Sequence, residues 1–313
     1  MTTPATHPLP YAFTGSSGTV RWNRVGDPAG PPVVLLHGTP FSSYVWRAVA
    51  RTLAARGHQV YLWDMPGYGQ SAMYEGQDVS LGAQGRVFAE LLDHWREDWG
   101  LASEPAVVAH DFGGATALRA HLLHGARYRR LALVDPVALA PWGSPFFRLV
   151  GEHPEVFAQL PPHLHAALVR EYLASASAPG LHPSVAAELA APWLTPAGQP
   201  AFYRQIAQSD QRWTDEIEGR YGEITVPVLV CWGEADSWIP VERGRALAAR
   251  IPGAAFAPLP GAGHLVQEDA PAELAGALLD FLATDLPATD LPATGLPGHL
   301  PGRDLPPADR LTP

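Results

Sequence analysis

Residues 105–118 read PAVVAHDFGGATAL. The run Ala106-Val107-Val108-Ala109 has the length and β-branching of a buried strand. His110-Asp111-Phe112-Gly113-Gly114 follows, and a helix-like stretch opens at Ala115 and continues to about Leu123. Strand, sharp turn with small residues, helix is the geometry of a nucleophile elbow. Such a turn usually carries Ser at its tip with Gly at two removes. Here the small residues are Ala109 and Gly113, and the tip is Asp111. One reading makes Asp111 a nucleophile lifted into a pocket beside a helix N-terminus. The simpler one makes it a helix N-cap, a position Asp fills well. The rest of the chain has to choose between them.

The chain has 313 residues, enough for one large α/β domain with an insertion or for two small domains. Its formal charge of −10 argues against nucleic acid and anionic membrane surfaces as partners. It contains no Lys, which removes Schiff-base chemistry and a Walker-type phosphate lysine. Cys231 is the sole cysteine, so an intrachain disulfide and a cysteine metal cluster are excluded. It lies in VPVLVCWG, an apolar strand pattern, and reads as a buried structural thiol. The start, MTTPATHPLP, has neither a basic cluster nor an apolar core of a secretory leader, so a cytoplasmic location is expected. No apolar run approaches a membrane span.

Working outward, residues 11–13 and 19–22 read as two antiparallel strands. Residues 33–36 form a buried strand ending in His37-Gly38-Thr39-Pro40. A helix is expected over 42–56, with Val45, Trp46, Val49, Ala50 and Leu53 on one stripe. The strand 60–63 ends in DMPGYGQS, and 79–95 reads as a helix. GYG there is a turn after a strand rather than a dinucleotide fingerprint, because no GxGxxG opens a helix. After the elbow, 131–134 is a strand closed by Asp135-Pro136. Short apolar strands alternating with helices give a mostly parallel sheet flanked by helices on both faces.

The rhythm changes at residue 137. From there to 215 no β-like run occurs, and Pro, Trp, Phe and His accumulate, with helix-like segments near 145–150, 162–174 and 200–210. This is read as a helical cap inserted over the carboxyl edge of the sheet. The strand 226–232, the helix 241–250, a short strand near 255–258 and the helix 271–282 complete the pattern. The expected division is therefore a core of 1–136 and 216–283, a cap of 137–215, and a tail of 284–313. The tail repeats LPAT-like units, is Pro-rich, and is expected to be disordered.

Three groups fall on loops after parallel strands, in the order Asp111, Asp236, His264. Nucleophile, acid, histidine is the chain order of an α/β hydrolase. Each stands at a carboxyl strand end, where open α/β sheets bind ligands. That coincidence lifts Asp111 above the N-cap reading. Asp135 competes with Asp236 for the role of acid. His37 and His110 read as sheet-edge hydrogen-bonding groups rather than chemical ones. No metal site and no cofactor are indicated.

HGTPFSSYVWR, DMPGYGQS, AHDFGG, the WGEAD loop and GAGH together resemble the α/β-hydrolase superfamily, in its branch with an aspartate nucleophile. Epoxide hydrolases and haloalkane or haloacid dehalogenases make up most of that branch. The resemblance spans about residues 11–282 and implies an α/β-hydrolase fold with an inserted helical cap. It also implies the catalytic set Asp111, Asp236 and His264, with the backbone N–H groups of Thr39 and Phe112 as the oxyanion hole.

The chemistry suits an aspartate. A serine needs a base before it attacks. A carboxylate is already ionised near neutral pH, an ordinary Asp titrating near ~4. It attacks an activated sp³ carbon and leaves an alkyl-enzyme ester. The histidine then activates water against that ester, with the second carboxylate holding its imidazole. A serine-type esterase is disfavoured, because acylated Asp would be an unstable anhydride.

The leaving group separates the relatives. Haloalkane dehalogenase-like sites hold halide with Trp after the nucleophile and commonly Asn in the HG-x-P turn; these positions are Phe112 and Thr39 here. Fluoroacetate dehalogenase-like sites carry Arg where Phe112 stands. An epoxide needs an acid for the ring oxygen, and Phe202-Tyr203-Arg204 resembles the cap segment that carries such a tyrosine. Tyr203 also reads as an amphipathic cap residue. Tyr172 and His153 are the other donor candidates, and Trp142 is expected in the substrate pocket. Trp193, Trp213 and Trp238 either line that pocket or pack the cap.

The expected function is hydrolysis of an epoxide to a diol, with a small apolar substrate and water as partners. The alternatives are a dehalogenase with an atypical halide site, using Trp142, Trp193 or Trp213, and a non-catalytic scaffold that binds a small molecule. A homodimer is compatible with the sequence.

Overall fold

The computed structural model describes residues 8–283. Segment 284–313, expected as a disordered tail, lies outside the described residues, as does the start of the chain. The strands are β1 Tyr11–Gly15, β2 Gly18–Gly26, β3 Pro32–Leu36 and β4 Gln59–Asp64. They continue with β5 Ala106–His110, β6 Arg130–Val134, β7 Val228–Gly233 and β8 Ala255–Leu259. They form one sheet in the order β1-β2-β4-β3-β5-β6-β7-β8. β1, β2 and β4 pair antiparallel, and β4 to β8 is a parallel array. Every residue of β3, β5 and β6 is buried, the condition of strands covered on both faces.

Helices α1 Arg47–Ala55, α2 Leu81–Trp99 and α3 Phe112–His124 connect the first six strands. The helix expected over 42–56 instead opens with a 3₁₀ turn, Ser43–Trp46. Its first N–H is claimed from outside, by Asp64 Oδ1 at 2.7 Å from Ser43 N. α2 begins two residues later than expected because Ser80 caps it, its hydroxyl accepting the Ala83 N–H at 3.2 Å. α3 begins at Phe112, three residues before the expected start. Gly113 and Gly114 serve close approach here. A Cβ on Gly113 would lie 2.5 Å from the His37 carbonyl oxygen, and one on Gly114 would lie 2.4 Å from Pro136 Cβ.

Between β6 and β7 no strand forms. The segment holds α4 Pro145–Glu152, α5 Pro154–Ala158, α6 Pro162–Ala174, α7 Pro183–Ala190, α8 Gly198–Ala207 and α9 Arg212–Glu218. Four of these six begin with Pro at the first helical position, where the missing N–H costs nothing. The chain closes with α10 Val241–Arg250, α11 Val266–Asp269 and α12 Pro271–Ala283. No helix among the described residues is long and apolar enough to cross a membrane.

The register is what assembles the site. Ala109 pairs with Leu36, His110 with Val134, Val134 with Cys231, and Gly233 with Leu259. The residues that follow these strand ends therefore emerge along one edge: Thr39, Asp111, Asp135, Asp236 and His264.

Candidate active site

Asp111 sits at the tip of the turn between β5 and α3 with φ +50°, a left-handed conformation uncommon outside glycine. The β5 strand and the close-packed first turn of α3 hold it there, and the residue is 3% exposed. One carboxylate oxygen, Oδ2, accepts the Thr39 N–H at 2.8 Å. The other, Oδ1, lies 3.5 Å from His264 Nε2. His264 Nδ1 donates to Asp236 Oδ2 at 2.8 Å. Asp236 Oδ1 in turn accepts the N–H groups of Trp238 at 2.8 Å and Ile239 at 3.0 Å. The three residues expected to act together are thus in line, and all three are buried.

Asp135 also ends its strand with a positive φ, +43°. It makes no hydrogen bond to His264. Its Oδ1 accepts the Gly233 N–H at 2.9 Å, and its carboxyl lies within 4.8 Å of ligand atoms of both Asp236 and His264. Asp135, Asp236 and His264 have the chemistry of a cation site, but His264 Nδ1 carries the proton it gives to Asp236 and so offers no lone pair there.

A cavity of about 480 Å³ opens onto Asp111. Phe112, Phe147, Leu139, Trp142, Trp238 and Tyr172 supply much of its wall, and Thr39 stands beside Asp111. The expected residues divide here. Trp142 and Tyr172 line the cavity; Tyr203 does not. Tyr203 is 1% exposed, and its hydroxyl lies 2.8 Å from His165 Nδ1. His153, in the corner between α4 and α5, is exposed and takes no part in the wall. Every indole N–H on the wall has a protein acceptor. Trp142 donates to Thr214 Oγ1 at 2.7 Å, Trp232 to the Ile239 carbonyl at 3.0 Å, and Trp238 to Ser175 Oγ at 3.0 Å. Trp193 and Trp213 stand off the cavity and donate to the carbonyls of Pro40 and Gln208. The Tyr172 hydroxyl has no hydrogen-bond partner among the described residues.

The family model described as the alpha/beta hydrolase family matches residues 33–277. The chain belongs to the alpha/beta hydrolase family. The hydrolase is 29% identical over 308 residues to epoxide hydrolase A of Mycobacterium tuberculosis, a match covering 83% of this chain and 92% of that protein. It is 30% identical over 269 residues to haloalkane dehalogenase 1 of Mycobacterium bovis, covering 80% and 83%. A crystal structure of an alpha/beta hydrolase fold protein from Burkholderia ambifaria superposes with a TM-score of 0.82 at 51% identity, covering 88% of this chain and 98% of that one. The epoxide hydrolase and haloalkane dehalogenase branch is thus where the hydrolase falls.

Electrostatics in the hydrolase follow from its burial. For His264, burial works against the charged ring, but Asp236 and then Asp111 outweigh it and hold the imidazolium well above the usual histidine range. Burial also acts to raise Asp236; the His264 charge and the bonds from His264, Ile239 and Trp238 overcome it and lower it. Asp135 has little to offset burial, and the neighbouring Asp236 charge adds to it, so its carboxyl is pushed well above the usual range. Tyr172 is raised well above an ordinary tyrosine by burial and by the charge of Asp111, so it keeps its proton. His110, expected as a sheet-edge group, faces the His264 carbonyl with Nε2 at 2.9 Å. His37 bridges the Gly38 carbonyl and the Met65 N–H.

Two residues beside Thr39 were not singled out by the sequence. Gln205 Oε1 accepts the hydroxyl protons of Thr39 at 2.6 Å and Tyr68 at 3.1 Å. Gln205 lies on α8 and Tyr68 after β4, so only the folded chain joins them. The DMPGYGQS turn marked the neighbourhood of Tyr68 but gave no sign of this partner.

Proposed function

We propose that this hydrolase opens epoxides to diols through a covalent ester on Asp111. The Asp111 carboxylate attacks a ring carbon; the C–O bond to that carbon breaks, and the ring oxygen takes a proton from Tyr172. The product of this step is a hydroxyalkyl ester. His264, oriented by Asp236, then removes a proton from water as it attacks the ester carbonyl. The backbone N–H groups of Thr39 and Phe112 stabilise the oxyanion. Before that attack His264 gives up its own proton: alkylation neutralises Asp111 and so removes one of the charges holding His264 protonated, and the proton passes by way of solvent to the Tyr172 oxyanion. Collapse then releases the diol and restores Asp111, and the proton taken from water leaves His264 as the imidazolium it began as.

The observation that carries this reading is the contrast on the cavity wall. Its one tyrosine hydroxyl is uncommitted, whereas its three indole N–H groups already have acceptors. An epoxide needs an O–H acid; a departing halide needs N–H donors facing the cavity. The similarity to epoxide hydrolase A and that to haloalkane dehalogenase 1 weigh equally, so the cavity wall carries the choice.

Intact-protein mass spectrometry of His264→Gln tests it. The variant is incubated in parallel with an aryl epoxide and with a 1-bromoalkane. Epoxide chemistry adds the full mass of the epoxide to Asp111; dehalogenation adds only the alkyl group. An alkyl adduct alone would replace this reading with the dehalogenase one. No adduct with either probe would favour the non-catalytic binding scaffold.

A further inference from the structure

Asp135 is a buried carboxyl at this edge that the mechanism leaves without work. Its side chain is fully buried, its backbone is held at φ +43°, and no N–H or hydroxyl donor among the described residues reaches its Oδ2. Burying a carboxylate on a single N–H bond is costly. Asp236 presents the complementary deficit. An ionised carboxylate has about four acceptor sites. Asp236 uses three of them, on the N–H groups of Trp238, Ile239 and His264.

We propose that Asp135 is a positioning residue whose neutral carboxyl donates a hydrogen bond from Oδ2 to Asp236, holding that carboxylate against His264. The proposal rests on the reading of His264 and Asp236 as the water-activating pair. The groups facing Asp135 agree with it. Asp236 follows β7, His264 follows β8, and the Cys231 thiol lies on β7 beside it; none supplies a cation except His264 itself. Burial and the Asp236 charge favour the neutral form, against the weaker pull of His264 and the Gly233 N–H. Two like charges this close in a buried site do not both ionise. The arrangement matters for the chemistry. With Asp135 ionised, His264 would face two carboxylates on one side and would hold its proton too firmly to act as a base. With Asp135 neutral, it faces one, which is fixed in place.

Carboxyl ¹³C NMR on the full chain, labelled at aspartate, tests the state of Asp135 directly. The resonance missing from Asp135→Asn should have the shift of a protonated carboxyl at neutral pH. A carboxylate shift there overturns the proposal. An amide also donates and never ionises, so Asp135→Asn should break down the alkyl-enzyme within about threefold of the parent rate. Asp135→Ala should do so on the order of tenfold more slowly, the scale at which outer partners of a functional histidine act. The proton between His264 and Asp236 should keep its ¹H shift in the Asn variant and move in the Ala variant. Equal slowing by Asn and Ala, or none by Ala, overturns the proposal. Should the Ala variant not fold, the NMR of the parent and the Asn variant still decides. Failure of the reading of His264 and Asp236 as the water-activating pair shows separately, as full turnover in Asp236→Asn.

Discussion

The Tyr203 hydroxyl donates to His165 Nδ1 across 2.8 Å, because His165 Nε2, at 3.0 Å, must give its proton to the Trp193 carbonyl. Trp193 in turn donates its indole N–H to the Pro40 carbonyl at 2.7 Å. A path of hydrogen bonds thus runs from the interior of the inserted helices to the turn that carries Thr39. Tyr203 is spent on it, and Tyr172 is left facing Asp111.

The two tyrosines should therefore separate in kinetics. Tyr172→Phe should lower kcat on an epoxide by about 10²–10⁴-fold, the usual weight of a positioned acid. Tyr203→Phe should change kcat little but leave a buried His165 nitrogen unpaired, at a cost of roughly 1–3 kcal/mol. In a chain of this size that is a fall in Tm of several degrees, about 2–4 °C per kcal/mol. Steady-state rates and thermal melts on both variants check this, and the reverse assignment would restore Tyr203 as the acid.

Gly38 gauges how tightly Asp111, the proposed nucleophile, is held. A Cβ at this position would fall 2.3 Å from Asp111 Cβ and 2.6 Å from its Oδ2. Gly38→Ala should push the carboxylate off its line and lower turnover by about 10²-fold or more. Normal turnover in this variant would mean that the position of Asp111 is not critical.

Asp111 itself adopts a backbone conformation that glycine occupies without cost. Asp111→Gly should abolish turnover and covalent labelling. Relief of roughly 1–3 kcal/mol of strain offsets the lost bond to Thr39, so Tm should stay level or rise. A large fall in Tm would show that the turn is not strained.

Acid stability should depend on His110. Burial, and after it the His264 charge, push its imidazole down to about 3, while Asp111 and Asp236 pull upward. In the unfolded chain a histidine titrates near ~6.5. Between those values the unfolded state binds the extra proton. The contribution is complete above about pH 6.5 and is lost as pH falls toward 3, by up to about 1.4 kcal/mol per pH unit. His110→Gln keeps a donor for the His264 carbonyl and does not titrate. Urea unfolding from about pH 6.5 downward should show a shallower loss in the variant. An unchanged slope would remove His110 from the account.

Much of this was legible because strand ends leave clear marks. Short β-branched runs followed by HGTP, HDFGG, DP and GAGH located β3, β5, β6 and the loop after β8, and with them Asp111 and His264. Asp236 against Asp135 was not separable by pattern, since both follow a strand; side-chain direction puts Asp236 on His264. The start of α3 was misplaced because paired glycines read as helix breakers, while here they admit His37 and Pro136. The tyrosines of the inserted helices were hardest. Tyr172 shares a helix with buried Val169 and Leu173, so periodicity alone reads it as packing. The roles of Tyr203 and Gln205 depend on partners 38 and 166 residues away.

The ties between residues 193–208 and the loops after β3 and β4 have a consequence for traffic. Gln205 holds Thr39 and Tyr68, Gln208 holds Val79 and Gln77, and Trp193 holds Pro40. At roughly 1 kcal/mol for each such bond, lifting this side of the roof costs several kcal/mol and is a rare event. Trp142 and Phe147, half-exposed on the cavity wall, take no part in these ties, so exchange of molecules with solvent on their side does not require breaking them.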